Sequence, residues 1–142
     1  MTPESLAHVH GLAFMVPAPW SATDFAAFLA DPTCFVVTRE QGGAILAFGL
    51  FRVVADEAEL LTLATAPQAR RKGLAREVLR EGLVTAQARG ADQCFLEVAA
   101  DNQTAILLYQ SEGFVQIGLR KSYYQIMGGP SLDALVFRAI PD

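Results

Sequence analysis

From Glu59 to Leu83 the chain passes from an apolar segment through a short turn into a long amphipathic helix, with almost nothing between them. Glu59-Leu60-Leu61-Thr62-Leu63-Ala64-Thr65 reads as a strand and Ala66-Pro67-Gln68-Ala69 as a turn. Arg70-Arg71-Lys72-Gly73-Leu74-Ala75 leads into a helix predicted over Lys72 to Arg89. Ala75, Val78, Leu79, Gly82, Leu83 and Ala86 recur at helical spacing while Arg76, Glu77, Arg80 and Glu81 fall on the other side, so that helix must lie on a sheet. The junction also limits what can bind. The first N–H groups of a helix have no intrahelical partner, and the helix dipole adds about half a positive charge at the same end, so phosphate oxygens are satisfied there by main chain. Gly73 removes a side chain that would keep a ligand from the backbone, and Ala75 is nearly as small. The expected anion is a pyrophosphate; from these residues alone, a basic helix start that is merely solvated is the alternative.

The rest of the composition narrows the class. A chain of 142 residues and 15.3 kDa, 52% apolar and 18% charged, is expected to form one core-rich domain rather than a disordered segment. Its longest apolar run, Ala44 to Phe51, is too short to cross a bilayer, and no Lys or Arg precedes Arg39, so no secretory leader is expected and the cytoplasm is the expected compartment. A net charge of -4 and a pI near 5.1 disfavour a general nucleic-acid binder. Yet Arg70, Arg71, Lys72, Arg76 and Arg80, five of the eleven Lys and Arg residues, gather beside the proposed phosphate site. Residues 1–38 carry Glu4, Asp24 and Asp31 with no opposing base, a weakly acidic face toward a cationic substrate. Cys34 and Cys94 fall inside apparent strands and read as small apolar residues. His8 and His10, two apart on a first helix, point to different faces and read as surface residues, so no metal site is expected.

In chain order, Thr2 to Met15 reads as a helix with Thr2 at its cap and Pro3 at its first position. Ser21-Ala22-Thr23-Asp24 opens a second helix whose buried stripe is Phe25, Phe28 and Leu29, ended by Pro32. Cys34 to Glu40, Ala44 to Val54 and Ala58 to Thr65 are expected to form an antiparallel meander, with Gln41-Gly42-Gly43 and Asp56-Glu57 as turns. Gln93 to Ala99 follows the long helix and is expected parallel to Ala58 to Thr65. Asp101 or Asn102 caps a short helix ending near Ser111, followed by strands over Val115 to Tyr124 and Leu132 to Ile140 around a Gly-Gly-Pro loop. One α/β domain follows, with a mixed sheet between helices on both faces.

A second constellation is Leu96-Glu97-Val98, Asn102, and Leu108-Tyr109 with Gly113-Phe114. Together with Arg70-x-x-Gly73-x-Ala75, it resembles the GNAT superfamily of N-acetyltransferases, specifically the RimI-type branch of ribosomal-protein-alanine N-acetyltransferases. The resemblance covers roughly residues 17–138, including Pro19-Trp20-Ser21 and Tyr123-Tyr124. It implies the GNAT fold, a mixed and mostly antiparallel sheet with a splayed parallel pair. It implies acetyl-CoA as co-substrate, with Leu63, Ala64 and Thr65 along the acetyl and pantetheine arm, Arg70, Arg71, Lys72, Gly73, Leu74, Ala75 and Arg76 at the pyrophosphate, and Asn102 at the pantetheine. It implies Glu97 as the base and Tyr109 as the acid, and a protein N-terminal peptide, with alanine of a small-subunit ribosomal protein as the expected terminus, as acceptor.

Acetyl transfer from a thioester to an amine requires a neutral amine, donors for the developing oxyanion and a proton for the departing thiolate, which a carboxylate, main-chain N–H groups and a phenol can provide. Read without the motif, Glu97 can equally mark a strand with one wet face, and Tyr109 a core aromatic with its hydroxyl at the edge. About a tenth or more of an unperturbed terminal amine is neutral at pH 7, against about one in a few thousand lysine side chains, so a carboxylate base suits an α-amine. The alternatives are an acetyltransferase of a small-molecule amine and a CoA-binding module without turnover. Thr65-Ala66-Pro67 stands where the family has Val-Asp-Pro, and Leu132-Asp133 where it has an acidic pair. The first change leaves main-chain donors in place; the second falls where the peptide is held.

Overall fold

The computed structural model describes residues 1–13, 19–124 and 131–141. In chain order the elements are α1 (Pro3–Ala13), α2 (Ala22–Ala30), β1 (Cys34–Gln41), β2 (Ala44–Val54), β3 (Glu57–Thr65), a 3-10 turn (Pro67–Ala69), α3 (Leu74–Ala88), β4 (Gln93–Ala99), α4 (Gln103–Ser111), β5 (Val115–Tyr124) and β6 (Leu132–Ala139). Local chemistry fixes the ends as expected. Ser5 N–H donates to Thr2 Oγ1, Ser21 and Asp24 form a reciprocal capping box, and Asn102 rather than Asp101 caps α4. The end of the first predicted helix and the Gly-Gly-Pro loop lie outside the described residues.

The six strands form one sheet in the order β1-β2-β3-β4-β6-β5, with β3 and β4 the parallel neighbours. Alternation along β2, reset where its pairing with β1 slips at Leu46, divides two cores: Ala47, Phe51 and Val53 pack with α3 and α4, while Ile45, Phe48 and Leu50 pack with α1 and α2. The stripe of α3 is buried as its spacing predicts. It also sits unusually close to β2, because a Cβ on Gly82 would stand 2.0 Å from the ring of Phe51.

Two expectations are corrected. His10 is wholly buried, not on the surface, because Trp20 stacks on its ring at 5.1 Å and Phe25 meets it edge-on at 5.6 Å. Trp20 N–H donates to His10 Nδ1 at 3.0 Å, which leaves Nε2 to donate to Thr62 Oγ1, also at 3.0 Å. Leu29 is 37% exposed rather than part of the buried stripe, since Phe25 and Phe28 already fill the contact with the aromatic cluster.

The bulge in β3 could not be read from alternation. Leu50 faces Thr62 and Phe51 faces Leu60, so Leu61 is an extra residue. Leu60 therefore packs with the α3 core, while Thr62 turns toward His10 and Ala64 toward the α1 core.

Candidate active site

The parallel pairing of β3 and β4 is short: Glu57 to Gln93, Ala58 to Cys94 and Glu59 to Phe95, and then no more. Past that point β3 stays paired with β2 as far as Thr65, and β4 stays paired with β6 as far as Ala99. The two strands diverge, and the main-chain groups of residues 61–65 on the β4 side are left without a strand partner. Leu63, Ala64 and Thr65 lie on that edge.

The chain then turns through Pro67–Ala69, with Ala66 N–H donating to Leu46 O at 2.8 Å, and delivers residues 70–73 to the start of α3. Arg70, Arg71 and Lys72 are exposed. Arg71 and Gly73 both adopt left-handed backbone, with φ of 66° and 75°. No side chain caps α3, and a Cβ on Gly73 would meet nothing within 4 Å, so the start of α3 is uncrowded at Gly73 and its first N–H groups have no side-chain cap. These features fit a pyrophosphate group.

Arg76, expected with that group, is turned instead toward α4. It donates to Glu112 Oε2 at 2.6 Å and to Ser111 Oγ at 2.9 Å. Arg80 holds the same carboxylate, and the hydrogen bonds from Arg80 and then Arg76 keep Glu112 below the usual carboxylate range despite its burial.

Along β4, Cys94, Leu96 and Val98 belong to the α3 and α4 core, so Glu97 points to the opposite face. There it lines a cleft of about 640 Å³ shared with Arg52, Glu59, Phe95, Arg120 and Val136. Its Oε1 lies 3.0 Å from Arg120 Nε, and its side chain is 25% exposed. Tyr109 is on the other side of the sheet, 6% exposed, with its ring edge-on to Phe114 at 5.7 Å. Burial, with Tyr124 second, pushes its phenol well above the ordinary range, so it carries its proton at neutral pH. Tyr124, at the end of β5, is pushed up to about 12 by burial and next by the Glu97 carboxylate. Asn102 uses its Oδ1 to accept from Ala105 N–H at 3.2 Å, which leaves its amide nitrogen to donate elsewhere. Among the described residues, no group of three or more His, Cys, Asp or Glu side chains could hold a metal ion.

Residues 5–114 match the model of the acetyltransferase (GNAT) family. The chain belongs to the GNAT acetyltransferase family. The [ribosomal protein bS18]-alanine N-acetyltransferase of Escherichia coli K12 is 37% identical over 124 residues, 87% of this chain and 81% of that protein. N-alpha-acetyltransferase RimI of Mycobacterium tuberculosis is 34% identical over 126 residues, 86% of this chain and 78% of that protein. The crystal structure of the ribosomal-protein-S18-alanine N-acetyltransferase from Escherichia coli superposes with a TM-score of 0.88 at 31% identity, over 99% of this chain and 88% of that one. This acetyltransferase is an acyltransferase that uses acetyl-CoA.

Two features of the candidate site escaped the sequence. Arg120 is a lone arginine on an edge strand, and nothing in its neighbourhood points across the sheet to Glu97. Asp133 stood out only as a departure in a loop, whereas its Oδ1 accepts from Ser122 N–H at 2.8 Å and holds the bent end of β5. Both depend on strand order, which local patterning does not carry.

Proposed function

We propose that this acetyltransferase modifies the α-amine of a protein N-terminus, alanine of a small-subunit ribosomal protein being the favoured acceptor. The observation that carries this reading is the parting of β3 from β4 after Glu59 and Phe95, with Glu97 on one face of the sheet and Tyr109 on the other. Its support for the acceptor is the resemblance to relatives that bear the names of N-terminal alanine acetyltransferases.

Acetyl-CoA supplies an activated acyl group on sulfur. Residues 70–75 hold its pyrophosphate through main-chain N–H groups and the exposed basic side chains, and Asn102 donates to the pantetheine arm. N–H groups of Leu63 to Thr65 face the negative charge that develops on the acyl oxygen. From the opposite face, the Glu97 carboxylate takes the amine proton, directly or through one water. Tyr109, protonated and buried, supplies the proton to the departing sulfur. One domain holds all of these groups, and a ribosomal acceptor puts the enzyme in the cytoplasm.

A synthetic peptide with a free N-terminal alanine should turn over with release of CoA, and the same peptide with a blocked N-terminus should not. Faster turnover of a polyamine, amino acid or aminoglycoside than of every N-terminal peptide tested would overturn the acceptor assignment. Mass spectrometry of cellular N-termini with and without the protein should show one lost acetyl mark on a ribosomal protein.

A further inference from the structure

Acetyl transfer as set out above has no role for a guanidinium at the base, yet Arg120 holds Glu97. Arg120 of β5 lies opposite Ala134, and Glu97 of β4 opposite Val136, so the side chain crosses β6 on the diagonal to put Nε 3.0 Å from Glu97 Oε1. On the way its guanidinium passes 5.2 Å from the centroid of the Tyr123 ring. The backbone behind it is fixed. The register of β5 on β6 skips from Arg120 to Tyr124, Ser122 takes a left-handed φ of 52°, and Asp133 accepts the Ser122 N–H.

Fold stability is a poor reason for this arrangement. Arg120 is 57% exposed, and exposed ion pairs contribute about 0–1 kcal/mol. Its place on Glu97 Oε1 has a chemical consequence instead. A bare carboxylate meeting an acceptor ammonium forms an ion pair that stabilises the reactants and not the transition state, so it slows the step it should assist. A cation already on one oxygen weakens that trap and fixes the plane of the carboxylate.

We propose that Arg120 is a positioning residue: held on Oε1 of Glu97, it orients the carboxylate so that Oε2 alone meets the acceptor amine, and it weakens the unreactive pairing of Glu97 with an acceptor ammonium. The inference rests on Glu97 being the base.

Steady-state kinetics with acetyl-CoA and a peptide carrying N-terminal alanine test it in the wild type, Arg120→Gln, Arg120→Met, Arg120→Lys and Glu97→Gln. Arg120→Gln and Arg120→Met should each lower kcat by about tenfold or more and also lower KM for the peptide by roughly two- to fivefold, with KM for acetyl-CoA unchanged. Arg120→Lys, which keeps the charge, should restore the peptide KM and part of kcat. A raised peptide KM with kcat intact would assign Arg120 to the acceptor instead, and wild-type constants would reduce the pair to a surface contact; either result overturns the proposal. If Glu97→Gln keeps wild-type turnover, the base assignment fails and takes Arg120 with it. If Glu97→Gln is inactive and the Arg120 variants are normal, only the inference about Arg120 is lost.

Discussion

Glu97 and Tyr109 see different amounts of water, 25% of the first side chain being exposed and 6% of the second residue. In the proposed roles, the carboxylate is open to proton exchange with solvent, whereas the phenol is shielded from it. As the proposed base and acid, both would act on the transition state, so Glu97→Gln and Tyr109→Phe should each lower kcat by about 10²–10⁴-fold while acetyl-CoA affinity by calorimetry stays near wild type. His10 has a different consequence. Burial lowers its pKa from 6.5 to about 4, so above pH 6.5 neither the folded nor the unfolded chain holds the proton and His10 adds no pH dependence. Between pH 6.5 and 4 the unfolded chain takes up the proton and the folded one does not. Stability should fall by about 2 kcal/mol from pH 7 to pH 5 and by about 3 kcal/mol in all, then level off below pH 4. Urea midpoints at these pH values should show the loss, and His10→Gln should flatten it.

At the scale of the element, α3 and β2 are brought together by a missing side chain. Gly82 offers the ring of Phe51 a notch, and Gly82→Ala puts a methyl where ring atoms already stand. We expect a loss of about 1–3 kcal/mol in stability, read from the urea midpoint. What could be read from sequence at this scale was whatever is local. The spacing of Val78, Leu79 and Ala86, the Ser21 and Asp24 cap and the Gly42-Gly43 turn each report on neighbours within a few residues. The bulge at Leu61 was not legible, because Leu60 to Ala64 reads as continuous apolar chain and the extra residue exists only relative to β2. His10 was misread for a related reason: its partners, Thr62 and Trp20, come from other elements, and helical periodicity cannot see them.

In the whole molecule, α1 and α2 cover one face of β1 to β3, α3 and α4 build the core on the other, and Glu97 lies where helices leave the sheet open. The candidate site was legible as residues but not as a place. Glu97, Tyr109 and the Arg70 to Ala75 segment stand out by type and order, yet that the carboxylate and the phenol lie on opposite faces follows from the alternation of β4 and the packing of α4. The divergence of β3 and β4 has one more measurable effect. Backbone amides that a sheet would normally pair have no strand partner there, so alternate positions among residues 61–65 should take up deuterium faster in the empty enzyme than once acetyl-CoA lies along them, while their counterparts on the β2 side stay closed throughout.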